Sequence, residues 1–148
     1  MHASAHRRAL LFFHHILSQK KRAFIRVSAR SLRVSGICKV GHPGVLVVQG
    51  DERAVAAYVR GIKASHRIPA LPLRQAALTP AQALRWQSCT LNASDPLPPG
   101  ELADFDDDMC EIDDMKALGA RMRDAPPGWH DWWTRAMGFA GSGRPPAR

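Results

Sequence analysis

The first run of apolar positions, Arg8 to Leu17, is made of Leu, Ile, Phe, Ala and His between basic flanks, and it predicts a strand buried on at least one face. Ser18 then offers an N-cap oxygen, and a helix is expected to run to about Arg33. At about 100° per residue, Phe24, Ile25, Ser28, Ala29 and Leu32 fall on one side of that helix. Arg22, Arg26, Arg30 and Arg33 fall together on another, so the helix has a core face and a basic ridge. Val34–Val40 and Val45–Gln49 read as two strands joined by the turn residues Gly41-His42-Pro43-Gly44. Asp51 can cap a second helix, in which Val55, Tyr58, Val59 and Ile62 keep the i, i+3, i+4, i+7 spacing. His66 to Gln75 reads as a fourth strand with Ile68, Leu71 and Leu73 as its apolar members.

The order strand, helix, strand, strand, helix, strand predicts an α+β fold, a ferredoxin-like β-α-β-β-α-β sandwich. The first and third strands are then expected in the centre of the sheet and the second and fourth at its edges. Pro69 and Pro72 suit an edge, but their opposite parity predicts a short or broken strand. Past Leu78 a Pro/Ser/Asn stretch through Gly100 reads as a loop, with one helical turn around Ala81 to Trp86. The acids Asp104, Asp106, Asp107 and Asp108 precede a helix expected to reach about Asp124. Pro126-Pro127-Gly128 breaks the chain before a last helix with Trp129, Trp132, Trp133 and Met137 on one stripe. That stripe is expected to dock on the domain's own surface, with a partner groove as the other reading. The result is one domain over 8–140, with its core at 8–76, a C-terminal helical extension at 101–140 that folds back on it, and a disordered tail at 141–148.

Charge sharpens this picture. Residues 1–94 carry fifteen Lys or Arg against Asp51 and Glu52, and residues 95–148 carry six against eleven acids, within a total of +8. A basic domain with an acidic appendage is expected, and basic domains attract phosphates. Cys38, Cys89 and Cys110 have no paired spacing, so neither a disulfide framework nor a zinc site is expected, and the compartment is read as reducing and intracellular, nuclear or cytoplasmic. No stretch is apolar for the ~20 residues of a membrane-spanning helix, so no membrane partner is expected. The Arg-rich, acid-free first fifty residues also fit a mitochondrial transit peptide, which leaves that compartment open.

The ridge of Arg22, Arg26, Arg30 and Arg33, extended by Lys20 and Lys21, is the leading candidate site, because the planar guanidinium fork donates two hydrogen bonds to a phosphate. Such contacts give affinity without sequence preference. His14 and His15, adjacent in the expected strand, would point to opposite faces and could not share a metal. One is expected under a helix and the other on the open sheet face, where it can stack on or hydrogen-bond a base. Gly41 to Gly44 is read as a hairpin turn rather than an anion cradle, since no helix follows and Pro43 lacks a donor. Nothing forms a Ser/His/Asp or Cys/His arrangement, and Cys38 has no activating partner, so no enzyme and no cofactor are expected. Acylphosphatases share such a fold with a phosphate-cradling loop after the first strand, but "SQKKR" at 18–22 has no glycine.

Taken as strings, "HHILSQKKR" from His14, "LRVSGICKVGHPGVLVVQG", and a helix with Tyr58 resemble a known C-terminal domain. It is the domain shared by the splicing factor pre-mRNA-processing factor three and the RWD-domain-containing proteins. The matching positions are His14, His15, Ile16, Lys21, Arg22, Ser35, Gly36, Pro43, Gly44, Val45 and Gly50, and "DMKALGARM" with "WHDWWTRAMGF" is similar to its closing helices. The resemblance covers about residues 8–140. It implies a ferredoxin-like core and, from the splicing factor, binding to paired small nuclear RNAs. The chain starts a few residues before the first strand, so neither an RWD domain nor a long splicing-factor region is expected, and the "HPG" turn and His pair are closer to the RWD-associated branch. The expected function is RNA or ribonucleoprotein binding through the ridge, with His14 and His15 as further contacts. The alternative is a protein-interaction adaptor that uses the Trp-bearing helix or a sheet edge. A fragment of a longer gene that lost its partner domain is the third reading.

Overall fold

The structure, a computed structural model, describes residues 5–64, 89–105 and 108–139. It is a mixed α+β fold of five strands and four helices: β1 (His6–Phe13), α1 (Gln19–Leu32), β2 (Ser35–Lys39), β3 (Gly44–Asp51), α2 (Glu52–Ala64), β4 (Cys89–Leu97), β5 (Met109–Ile112), α3 (Met115–Asp124) and α4 (Trp129–Met137). The strands make one sheet in the order β4-β1-β3-β2-β5, antiparallel except for the parallel β2–β5 pair.

Local chemistry accounts for the first half. The Ser18 hydroxyl accepts from the amides of Lys20 and Lys21 at 3.1 and 3.3 Å and starts α1. Arg33 ends it in the left-handed region, with its amide and that of Val34 returned to Arg30 and Ala29 carbonyls. Asp51 caps α2 through the Arg53 amide at 3.0 Å.

Side-chain parity divides the sheet into two buried layers. Ala9, Leu11 and Phe13 of β1, with Leu46 and Val48 of β3, meet Ile25 and Ala29 of α1 and Val55, Tyr58 and Ile62 of α2. Tyr58 closes the space between those helices by donating its hydroxyl to the Ile25 carbonyl at 2.9 Å. Leu10, Ile37, Val45 and Val47 face the other way, under Leu118 and Met122 of α3 and Trp129, Trp132 and Trp133 of α4. Gly119 lets α3 approach α4, since a Cβ there would already touch the Trp133 ring. Buried Gln49 ties the segment before β5 to the sheet, donating to the Ala103 carbonyl and accepting from its amide, both at 2.7 Å.

Several expectations are corrected. The first strand stops at Phe13 instead of Leu17, and only the Ile16–Gly41 bridge continues its pairing. Residues 89–97, expected as loop, form β4 along the whole of β1. β5 lies between the Asp run and α3, so β2 is an inner strand rather than an edge; α3 instead starts on an Asp114 cap. The sheet face that was expected to be open is covered by α3 and α4. The strand expected at His66 to Gln75 with Pro69 and Pro72, the turn at Ala81 to Trp86, Asp106, Asp107 and the tail 141–148 lie outside the described residues. Among the described residues no helix is long and apolar enough to cross a membrane.

Candidate functional site

The basic ridge forms on α1, though its members are not equivalent. Lys20, Arg26, Arg30 and Arg33 are exposed, while Lys21 and Arg22 are half-buried. Arg22 is engaged by β5: its Nε and Nη2 donate to the two carboxylate oxygens of Glu111 at 3.2 and 2.9 Å. This holds the Glu111 carboxyl below the usual carboxylate range. Arg26 reaches the same carboxylate at 3.5 Å and Arg30 reaches Asp108 at 3.3 Å. Their side chains are nevertheless 47% and 76% exposed, so both pairs are open to solvent and weak. Among the described residues, Glu111 and Asp108 are the acids that pair with this face. About 20 Å of helix separates Lys20 from Arg33 at the two ends of this strip.

The histidines are arranged differently from the expectation. Because β1 ends at Phe13, His14 and His15 lie in the connection to α1 and not on opposite faces of a strand. The Ile16–Gly41 bridge brings the β2–β3 turn beside them and adds His42, which the sequence reading did not count. The three rings are mutual neighbours, with centroids 5.3 Å (His14–His15), 5.9 Å (His14–His42) and 5.1 Å (His15–His42) apart. Beneath them the buried Lys39 ammonium donates to the carbonyls of His42 and Pro43 at 3.4 and 2.9 Å. No three His, Cys, Asp or Glu side chains among the described residues are placed to hold a metal ion. The corner is therefore a cluster of bases that continues the Lys20–Lys21 end of the ridge. The cue to it was the pair of turn signals, His-His before Ser18 and His42 before Pro43, whose meeting depends on long-range pairing.

This corner carries a pH prediction. Burial, then His42, His14 and Lys21, push His15 below the usual histidine range, and its Nδ1 is a buried atom with no partner. A base whose pKa is lower in the folded state binds fewer protons there than when unfolded, so stability rises with pH through that window. The thermal midpoint is expected to fall as pH drops from about 7 toward about 5, and His15→Gln should flatten that slope. An equal slope in wild type and variant would show that His15 is not its source. Below that window Glu111 acts with the same sign, since its depressed carboxyl contributes stability that is lost as pH falls through its folded value.

The cysteines offer no nucleophile on this face. Burial pushes the Cys38 thiol up to about 12 and the Cys89 thiol to about 11, and neither forms a useful thiolate near neutrality. Trp129, Trp132 and Trp133, the expected partner stripe of the adaptor reading, are buried against the sheet and are not offered to a partner.

No family model and no curated protein matches the chain. Among solved structures it is similar to BlrP1 BLUF, at 15% identity and a TM-score of 0.58 over 97% of this chain and 95% of that one. It is also similar to a bacterial light-regulated adenylyl cyclase, at 9% identity and a TM-score of 0.50 over 95% of this chain but 37% of that one. Full-length HypF in its phosphate- and nucleotide-bound form aligns at 16% identity and a TM-score of 0.45, over 76% of this chain and 12% of HypF. The splicing-factor family is not among these three, so the resemblance to it rests on the sequence strings. At these identities the likeness is one of fold alone.

Proposed function

We propose that the chain is a binding module for RNA or a ribonucleoprotein, with α1 and the histidine corner as the contact face, in place of a catalytic centre. The carrying observation is the strip of cations along α1, in which Lys20, Arg26, Arg30 and Arg33 are exposed and the Arg26 and Arg30 pairs are open to solvent. The strip's length and exposure suit a phosphodiester backbone, and its guanidinium groups suit phosphate oxygens. A ferredoxin-like core, supported by the order of β1 to β4 with β1 and β3 inside, presents α1 on an outer layer. In this reading Lys20, Lys21, Arg26, Arg30 and Arg33 make the phosphate contacts. His14 and His42 are exposed beside the start of the strip and can add contacts, and Arg22 holds Glu111. Base contacts from the sheet face are no longer part of it. An RNA partner implies an intracellular compartment, nuclear, cytoplasmic or mitochondrial.

The test is a salt titration of binding to a short RNA duplex with a single-stranded 3′ overhang. Affinity is expected to fall steeply with salt, and the paired change Lys20→Glu and Arg30→Glu should weaken it by at least ~10-fold and reduce the salt slope by about 2. Arg22 is left in place, because its removal would leave Glu111 without its partner. Unchanged affinity in the double variant would remove α1 from the interface. Salt-insensitive binding to a protein would favour an adaptor that uses the edge of β4.

A further inference from the structure

The side of the sheet away from α1 carries a second polar feature. A cleft of about 500 Å³ opens between β1, β4 and α4, lined by Arg8, Asn92, Asp95, Trp132 and Arg135. Its size is that of a small-molecule site.

The cleft's floor is fixed by an unusual placement of Arg8. By parity Arg8 faces the tryptophan layer with Leu10, and its guanidinium lies 5.0 Å from the Trp129 ring centroid and 4.7 Å from that of Trp132. Its Nε and Nη1 are buried without a hydrogen-bond partner. Contact with two indole rings places the cation before any ligand arrives. Trp132 is itself fixed by donating Nε1 to Asp95 Oδ2 at 2.7 Å, and Asn92 ties α4 to β4 through the Ala136 carbonyl at 3.0 Å.

Charge then selects the ligand. Two guanidinium groups, Arg8 and Arg135, face one carboxylate, Asp95, whose Oδ2 is committed to the indole. Glu101 also acts electrostatically on Arg8. Arg135 makes no side-chain hydrogen bond or ion pair among the described residues, so its planar fork is available. A free fork beside a second guanidinium, in a cleft already holding the Asp95 carboxylate, matches a planar monoanion better than a dianion. We propose that this cleft binds a small organic carboxylate, held by the Arg135 fork with the Arg8 guanidinium as the second positive group.

The probe is acetate, followed by the indole Nε1–H resonance of Trp132 in two-dimensional NMR spectra, with chloride at equal ionic strength as the control. Acetate is expected to move that resonance saturably, with a dissociation constant of about 1–10 mM. Arg135→Gln should abolish the shift, and Arg135→Lys, which keeps the charge but loses the fork, should weaken binding several-fold. The Lys20→Glu and Arg30→Glu double variant should bind acetate as the parent does, which separates this cleft from the α1 face. No saturable shift beyond chloride, or an equal shift in a folded Arg135→Gln protein, would overturn the site. Tighter binding of inorganic phosphate than of acetate would overturn the ligand class.

Discussion

Replacing Trp129 by alanine is expected to destabilise the protein by about 3–5 kcal/mol, a large share of the roughly 5–15 kcal/mol that holds a domain of this kind together. Trp129 is fully buried, and three kinds of interaction converge on it. Its ring meets Phe105 and Trp132 edge to face, each with centroids 5.5 Å apart. Its Nε1 donates to the Glu101 carbonyl at 2.8 Å, which fixes the segment between β4 and β5. Its face carries the Arg8 guanidinium. Truncation would open a cavity in the layer that covers the sheet, strip a carbonyl of its donor and leave a buried cation on one indole instead of two. A fall in thermal midpoint of about 10–15 °C follows for a chain of this size. Val27→Ala, at an exposed position on α1, should change little and serves as the control. A fall for Trp129→Ala of no more than ~3 °C would mean that α4 does not contribute to the core in the way the packing implies.

How much of this was legible in the sequence depended on the distance over which each contact acts. The Ser18 cap, the core face of α1 and the Val55, Tyr58, Ile62 stripe of α2 are local patterns, and all formed where the sequence placed them. The tryptophan stripe was legible too, since its one-sided spacing required a surface to cover. β4 was not. Asn92, Ser94, Asp95 and Pro96 are turn-forming residues, and only pairing along β1 makes them a strand, at the edge where a proline is tolerated. β5 has four residues, too few to show a period, and it is fixed by Gly36 and Val40 amides donating to Asp108 and Ile112 carbonyls.

The same limit governed the candidate site. Six cations without a local acid read as a free ridge, but Glu111 lies 89 residues from Arg22 in sequence and meets it only through the parallel β2–β5 pair. The His14–His15 pair read as residues on opposite faces because the strand's end could not be seen. The five residues between β1 and α1 place both rings beside His42 instead. Arg8 gave no signal of its own, being one basic residue at the start of an apolar run. Its role comes from parity combined with a helix more than a hundred residues away.

Gly36 joins the fold to the charge balance of α1, and Gly36→Ala is expected to cost about 3 kcal/mol or more. The reason is space and not backbone freedom. A Cβ at this position would run into the carbonyl of Val47 and the Cα of Val48, and backbone atoms within a paired strand cannot rotate aside as a side-chain tip can. Relief requires β2 to move from β3, which breaks pairing across Ser35–Lys39, while the Gly36 amide is also held by the Asp108 carbonyl at 2.8 Å. The strain therefore passes to β5, and with it to Glu111 and Asp108, the acids that partner Arg22, Arg26 and Arg30. A protein that survives the substitution should unfold at lower urea. It should also bind the RNA probe with a changed salt slope, because the ridge loses its fixed counter-charges. Gly61→Ala supplies the opposite sign: nothing lies within 4 Å of its added Cβ on α2, and alanine in a helix interior stabilises by roughly 0.5–1 kcal/mol. If the two alanines shifted the urea midpoint in the same direction, the close approach of β2 to β3 would not be the constraint that places β5 beside α1.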